Sequence, residues 1–308
     1  VWDPTQFLQR SIASDPYVSL QVTYQNIYLI GTATSDVLEN VGTFPFPFAP
    51  IPNALIPYGT SAPYSATLVS GTLCWLTQTV KGRRQVVQVD GVSTRIISTR
   101  ALERALAGYS QVSDGVGQSY EDQGHIFYIL TLQAADITHV YDTTTQLWMK
   151  FLSWFSDAYH AWRPMFHILG FDLLLAGDRQ DSVMYRVSVD LPLDVDDLPI
   201  RRLRRAPAIF SENQLIYIEY LELFLEAGLG LATGQGSDPQ VMMRMSTNGG
   251  KTWGSELWRS AGTIGQYKKR VCWNRLGRGR DLVFEFVMSD PIPWRLVDCY
   301  FKGEKGAY

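Results

Sequence analysis

Cysteine and histidine are scarce in this chain. Of its 308 residues three are Cys and four are His. Cys74, Cys272 and Cys299 are odd in number, far apart and without Cys-x-x-Cys spacing. That pattern argues against a disulfide framework and leads us to expect buried thiols in a reducing compartment. His125, His139, His160 and His167 include no His-x-x-x-His pair, so no metal site is expected. His125 and His139 fall in one repeat unit and are expected to pack within it or bond turn carbonyls. Long apolar runs are missing as well. The longest candidate, 221–232, is broken by Glu222 and Glu226, so no segment spans a bilayer, and no signal peptide is visible. Neither sign of charge dominates: 27 Lys and Arg stand against 30 Asp and Glu. The net charge of −3 gives no global attraction to nucleic acid and points to a soluble chain that recognises its partners locally. Gly230-x-x-x-Gly234-x-Gly236 lacks the Gly-Lys-Ser/Thr ending and the helix of a phosphate loop, and no Gly-x-Ser-x-Gly elbow occurs. No cofactor is expected.

What the chain does have is strand-and-turn patterning with aromatics. With 46% hydrophobic residues it can form one large all-β domain or two ordinary ones. Helical periodicity shows only at 99–106, where Ala101, Leu102, Ala105 and Leu106 form one small apolar face suited to a connection. Aromatic-rich strands at 26–31, 71–77, 125–130 and 171–177 put Tyr28, Trp75, Tyr128 and Leu174 at steps of 47, 53 and 46 residues. Kelch-like propeller blades repeat at about 50 residues. Second strands at 85–89, 137–141 and 183–189 each end at an Asp (Asp90, Asp142, Asp190). In the best-formed unit, 140–148, Asp142 is expected to bond the turn while Trp148 packs between blades.

The segment 41–64 holds four prolines in the nine residues 44–52. It must be extended, either as a loop covering the propeller or as a partner-docking arm. After Asp190 the composition shifts: Asp194, Asp196 and Asp197 are followed by Arg201, Arg202, Arg204 and Arg205. We expect the domain boundary here, with blades over 1–198 and an antiparallel β domain over 199–308. Three readings of the arginines stay open: an edge strand that docks a partner, contact with a DNA backbone, or plain solvated surface. Within the second domain, 215–226, 242–246, 267–275 and 281–288 read as strands, with Tyr267, Val271 and Trp273 on one face.

Ser246-Thr247-Asn248-Gly249-Gly250-Lys251-Thr252-Trp253 resembles the Asp-box of β-propeller proteins, with Asn248 at the Asp position. Ser246, Asn248, Gly250 and Thr252 are expected to build a hairpin turn whose return strand starts at Thr252, and Trp253 to anchor it as a buried ring. Such a motif stabilises a turn and does no chemistry. Sialidases, which carry the same box, use a Tyr nucleophile with a Glu partner, an acid Asp and three arginines; no such constellation is recognisable here.

The blocks 96–103, 124–131, Ile200-Arg201-Arg202-Leu203-Arg204-Arg205-Ala206-Pro207, Gly234-Gln235-Gly236-Ser237-Asp238-Pro239, 246–253, Gly262-Thr263-Ile264-Gly265-Gln266-Tyr267, Trp273-Asn274-Arg275-Leu276-Gly277 and Ser289-Asp290-Pro291 run in one order along nearly the whole chain. Together they resemble the packaged-DNA stabilisation proteins of short-tailed bacteriophages, also called tail hub or nozzle proteins. The resemblance implies a β-propeller with an attached β domain, arranged as a homohexameric ring below the portal and adaptor. That ring would extend the channel for ejection of the double-stranded genome without reading its sequence, retain packaged DNA, and carry the needle, spikes or fibres. It implies a non-enzymatic tail component of the virion, assembled in the host bacterial cytoplasm. The alternatives are a carbohydrate- or receptor-binding propeller and a sialidase-like glycosidase. Family members tend to be longer at the N-terminus; the chain starts at Val1, and Trp2-Asp3-Pro4 reads like a strand end. A preceding segment is therefore expected, with the blade set incomplete at that end.

Overall fold

The turn-punctuated strands fold as consecutive antiparallel meanders. A computed structural model describes residues 13–306, apart from 25, 45, 80 and 213; Trp2 to Pro4 lie outside the described residues. The chain divides into two compact units, Val1–Val189 and Asp190–Tyr308. The first carries four sheets. Blade I is β1 (Tyr17–Val22), β2 (Asn26–Gly31), β3 (Ser35–Asn40) and β4 (Phe48–Pro50). Blade II is β5 (Thr67–Val69), β6 (Thr72–Gln78), β7 (Arg84–Asp90) and β8 (Ser93–Ile96). Blade III has five strands, β9 (Gly115–Asp122), β10 (His125–Leu132), β11 (Ile137–Asp142), β12 (Leu147–Phe155) and β13 (Ala158–Ala161). Blade IV is β14 (Pro164–Gly170), β15 (Leu173–Asp178) and β16 (Met184–Arg186). The proline segment is thus neither a free arm nor merely a cover: 48–50 forms the outer strand of blade I, paired with β3. Proline is tolerated there because an edge strand leaves one row of N–H groups unpaired.

Blades pack face to face through alternate side chains. Tyr28, Ile30 and Val37 of blade I share a core with Leu73, Trp75 and Val87 of blade II. The opposite face of blade II, with Cys74, Leu76 and Val86, meets Tyr128, Leu130 and Tyr141 of blade III. This two-faced burial is why the central strands are nearly continuous apolar runs. The blades approach so closely at Gly117 that a Cβ there would lie 2.0 Å from the Ser65 carbonyl oxygen, and Tyr128 donates to that same oxygen at 2.9 Å. The helix α1 (Arg100–Gly108) links blade II to blade III. Thr99 caps it by accepting from the Leu102 N–H at 3.3 Å, Leu102 and Leu106 face the core, and Arg84 donates to the terminal carbonyls of Leu106 and Tyr109 at 2.7 and 2.6 Å. In the 140–148 unit Asp142 accepts from the Thr144 N–H at 2.9 Å and the Thr145 hydroxyl at 2.7 Å. Trp148 donates across the blade boundary to the Ile97 carbonyl at 2.7 Å.

Blade IV is held to blade III by charge. Arg163, buried, donates to Asp178 at 2.7 Å, Gln180 at 3.0 Å and Asp181 at 2.5 Å. Asp136 accepts from His160 at 2.5 Å, Ala161 N–H at 3.0 Å and Arg179 at 2.8 Å. Burial alone would raise the Asp178 carboxyl, but hydrogen bonds from Tyr185, Arg163 and the N–H groups of Gln180 and Asp181 outweigh it and hold it at about 2, below its ordinary 3.8. A depressed carboxyl contributes stability above its unfolded value and loses it as pH falls toward the folded one, which here amounts to about 2 kcal/mol between pH 4 and pH 2. Denaturant unfolding at stepped pH is expected to show this slope and Asp178→Asn to flatten it; an unchanged slope in the variant would remove Asp178 from the account.

The second unit is two facing sheets, ordered β17-β22-β19-β20 and β21-β18-β23. The strands are β17 (Arg202–Arg205), β18 (Ile216–Leu225), β19 (Gln240–Ser246), β20 (Leu257–Ser260), β21 (Val271–Gly279), β22 (Val283–Met288) and β23 (Leu296–Lys305). Ile218, Leu221 and Leu223 of one sheet bury against Val241, Met243, Phe284 and Phe286 of the other, with Trp273 fully enclosed. Strict alternation sends Arg244 and Glu285 to the opposite face of their sheet. The expected face of Tyr267, Val271 and Trp273 needs correction: the strand begins at Val271, and Tyr267 precedes it, 73% exposed.

Candidate partner-docking face

The Asp-box forms a loop between β19 and β20. Ser246 accepts through its hydroxyl from the N–H of Asn248 at 3.3 Å and of Gly250 at 2.8 Å, and donates to Asn248 Oδ1 at 2.9 Å. Asn248 Oδ1 also accepts from the N–H groups of Lys251 and Thr252 at 3.1 and 2.9 Å, and its amide donates to the Thr252 hydroxyl at 2.8 Å. At about 0.5–1.5 kcal/mol per bond, this side-chain hub replaces a two-residue turn. Gly249 and Gly250 sit at φ +70° and +86°, and a Cβ on Gly249 would lie 2.4 Å from Asp281 Oδ2. The return strand starts at Leu257, four residues after Trp253, because the box spends Thr252 on the hub rather than on a ladder.

Trp253 is half-buried, which corrects the expectation of a buried anchor. Its ring is the floor for two guanidinium groups, Arg205 and Arg244, each 4.9 Å from the centroid. Those arginines flank Glu285 in register across three strands. Glu285 has no exposed surface; Arg205 donates to its Oε2 at 2.7 Å and Arg244 to its Oε1 at 2.7 Å. Each carboxylate oxygen thus has its own cation.

The four clustered arginines therefore divide. Arg205 is committed to Glu285, and Arg202 donates to the backbone carbonyls of Ile292, at 2.5 Å, and Asp290. Burial lowers the Arg202 pKa; the carbonyls take up its two terminal nitrogens, while its buried Nε has no hydrogen-bond partner. Arg201 and Arg204 are exposed and pair with no carboxylate among the described residues. They lie just before and on β17, the edge strand of its sheet.

The other candidate chemistry is structural. His139 is buried, its pKa lowered to about 4 by that burial and then by Lys150, and it meets the Tyr109 hydroxyl at 3.1 Å. His167, lowered to about 4 by burial, lies stacked between Tyr120 and Trp162 at 4.8 and 5.3 Å. His125 lies 2.8 Å from Asp142. No group of three His, Cys, Asp or Glu side chains able to hold a metal occurs among the described residues. Of the thiols only Cys74 is fully buried, its pKa pushed up to about 12 by burial. No helix among the described residues is long and apolar enough to cross a membrane. One grouping was missed in the sequence: Tyr220, Glu222 and Arg270. Arg270 donates to Glu222 at 2.6 Å and to the Tyr220 hydroxyl at 2.7 Å. It brings a Tyr, a Glu and one arginine together on the outer side of the sheet. The two-residue spacing of Tyr220 and Glu222 on one strand face was the available signal.

Two family models cover the chain. The bacteriophage P22 Gp10 β-propeller model matches residues 2–191, and the Gp10 β-sandwich model matches residues 201–304. The chain belongs to the bacteriophage P22 Gp10 family. Its first unit is accordingly a β-propeller and its second a β-sandwich. Gp10-type chains are packaged-DNA stabilisation proteins, structural components of the phage virion. No curated protein sequence matches the chain significantly. Among solved structures it is similar to an exo-β-1,3-galactanase of Phanerochaete chrysosporium bound to β-1,3-galactotriose, with 9% identity and a TM-score of 0.24, over 93% of this chain and 69% of that one. It is also similar to a glycoside hydrolase family 43 arabinoxylan arabinofuranohydrolase of Bacillus subtilis in complex with cellotetraose, with 10% identity and a TM-score of 0.26, over 91% of this chain and 64% of that one. Likeness at that level carries no argument about activity.

Proposed function

We propose that the protein is a tail hub or nozzle subunit, forming a homohexameric ring below the portal and adaptor that extends the DNA channel, retains the packaged genome and carries the needle or spikes. The division after Val189, a few residues before the expected boundary at 198, separates the ring-building blades from the sandwich. The observation that carries the reading, beyond family membership, is the pair of exposed cations Arg201 and Arg204, just before and on an edge strand, a few residues from the exposed carboxylates of Asp196 and Asp197; none of the four forms an ion pair among the described residues. A closed ring needs two different complementary patches on each copy, and these are opposite in sign. Phe166, Ile168, Leu169 and Phe171, exposed by 63–95%, add apolar surface of the kind that marks an interface. The polar patches contribute modest affinity, so the isolated chain is expected to be monomeric at micromolar concentration and to close its ring on the growing tail. The role needs no turnover, and we expect no hydrolysis of sialosides.

The test replaces Arg201 and Arg204 together by Ser, leaving Arg202 and Arg205 because their contacts belong to the fold. The variant is expected to melt like the parent and yet to be missing from tails, so that heads package DNA and then lose it. Variant particles that keep their genome and infect normally would sink the docking role. Imaging of the portal vertex would show directly whether a ring of this protein sits there.

A further inference from the structure

Two blocks that carry the family resemblance, 234–239 and 289–291, meet in the sandwich at a place that neither the Asp-box nor the free arginines occupy. They form an open cleft of about 400 Å³, lined among others by Gln235, Asp238, Gln240, Trp258, Ser289 and Asp290. We infer that this cleft is a binding site for a neutral saccharide, a portion of glycan presenting vicinal hydroxyls, and that the sandwich therefore carries a recognition function beside its place in the tail.

The wall supplied by β20 is an indole: Trp258 remains 51% exposed. An apolar ring left in water beside polar groups matches the C–H face of a pyranose, which is flat, weakly apolar and rimmed by hydroxyls. Facing it are planar acceptors and donors, two carboxylates and two amides, which match adjacent hydroxyls two atoms at a time. These groups are held in place by their own bonds. Asp290 Oδ2 accepts from the Gln240 N–H at 2.7 Å, and Asp238 accepts from the Gln240 amide at 2.9 Å and from the Ser260 hydroxyl. Each carboxylate oxygen has two lone-pair sites, so anchoring leaves acceptor capacity for a ligand, and little ordering is lost on binding. The loop reaches this position through Gly234 and Gly236, at φ +79° and +91°.

Charge narrows the ligand. The lining contains two carboxylates and no Lys or Arg, and the nearby Arg202 is engaged with backbone carbonyls. An anionic sugar, a phosphate or DNA would meet like charge there. A cleft this open and near the small end of the roughly 300–1,000 Å³ typical of ligand sites binds weakly, with Kd around 1 mM, and several copies held together would raise the apparent affinity by avidity.

The experiment uses the 308-residue chain with lactose, cellobiose and maltose as probes and sialyllactose as the anionic control, read by saturation-transfer NMR and calorimetry. At least one neutral disaccharide is expected to bind at millimolar concentration and sialyllactose to bind no more tightly. Trp258→Ala is expected to weaken binding about tenfold or more, the equivalent of about 1.4 kcal/mol. Gln235→Ala, on an exposed loop residue that leaves the fold untouched, is expected to weaken it several-fold. Absence of binding by all three disaccharides at 10 mM, equal binding by both variants, or preference for sialyllactose would each overturn the assignment. None of these outcomes depends on ring assembly, so the site and the tail reading stand or fall separately.

Discussion

Trp273→Ala is expected to cost about 3–5 kcal/mol, the range for emptying a fully buried aromatic site, whereas Trp253→Ala costs about 1–2 kcal/mol. Trp273 has no exposed surface, packs within the sandwich core and donates from its indole to the Leu257 carbonyl at 3.0 Å. Its removal leaves a cavity and takes the indole donor away from the Leu257 carbonyl. Trp253 is half-buried on the outer face, and what it loses is two cation stacks of about 0.5–1 kcal/mol each at such exposure. Denaturant midpoints of the two variants, followed by near-UV circular dichroism, decide the matter. Equal losses, or a larger loss at Trp253, would mean that the Asp-box ring is the anchor after all.

The second large effect concerns Glu285. Replacing Arg205 and Arg244 together by Met strips a carboxylate with no exposed surface of both its cations. Leaving a buried charge uncompensated costs about 3–5 kcal/mol. Adding Glu285→Leu to the same chain is expected to restore most of that stability, because replacing a whole buried ion cluster by apolar groups of similar volume is often neutral or better. Urea unfolding of the parent, the double and the triple variant tests both halves. A double variant within 1 kcal/mol of the parent would show that the carboxylate is solvated, and a triple variant no better than the double would show that packing around Trp253 had been lost instead.

Features set by near neighbours were legible in the chain. The helix start at Thr99, the Asp142 turn and the hub of Ser246 and Asn248 depend on residues within about four positions, where side-chain geometry is the same in any fold. The strands around Tyr28, Trp75 and Tyr128 also stood out, because burial on both faces leaves an apolar run that composition alone displays. Family membership was readable from short blocks along the chain, three of which, 96–103, 124–131 and 246–253, contain these same turns and runs.

What the sequence could not distinguish was which of several like residues does what. Arg201, Arg202, Arg204 and Arg205 are one run in the chain, yet Arg202 meets carbonyls near residue 290, Arg205 meets a carboxylate 80 positions away, and the other two meet solvent. Trp253 and Trp273 likewise look alike in sequence, and only the facing of the two sheets puts one in the core and the other under two guanidinium groups. The sequence by itself determined the local turns, the strand alternation and the family. Tertiary structure decided the neutralisation of each charge and the burial of each ring, because those depend on strand register between segments far apart, and a shift of one residue would send every side chain to the other face.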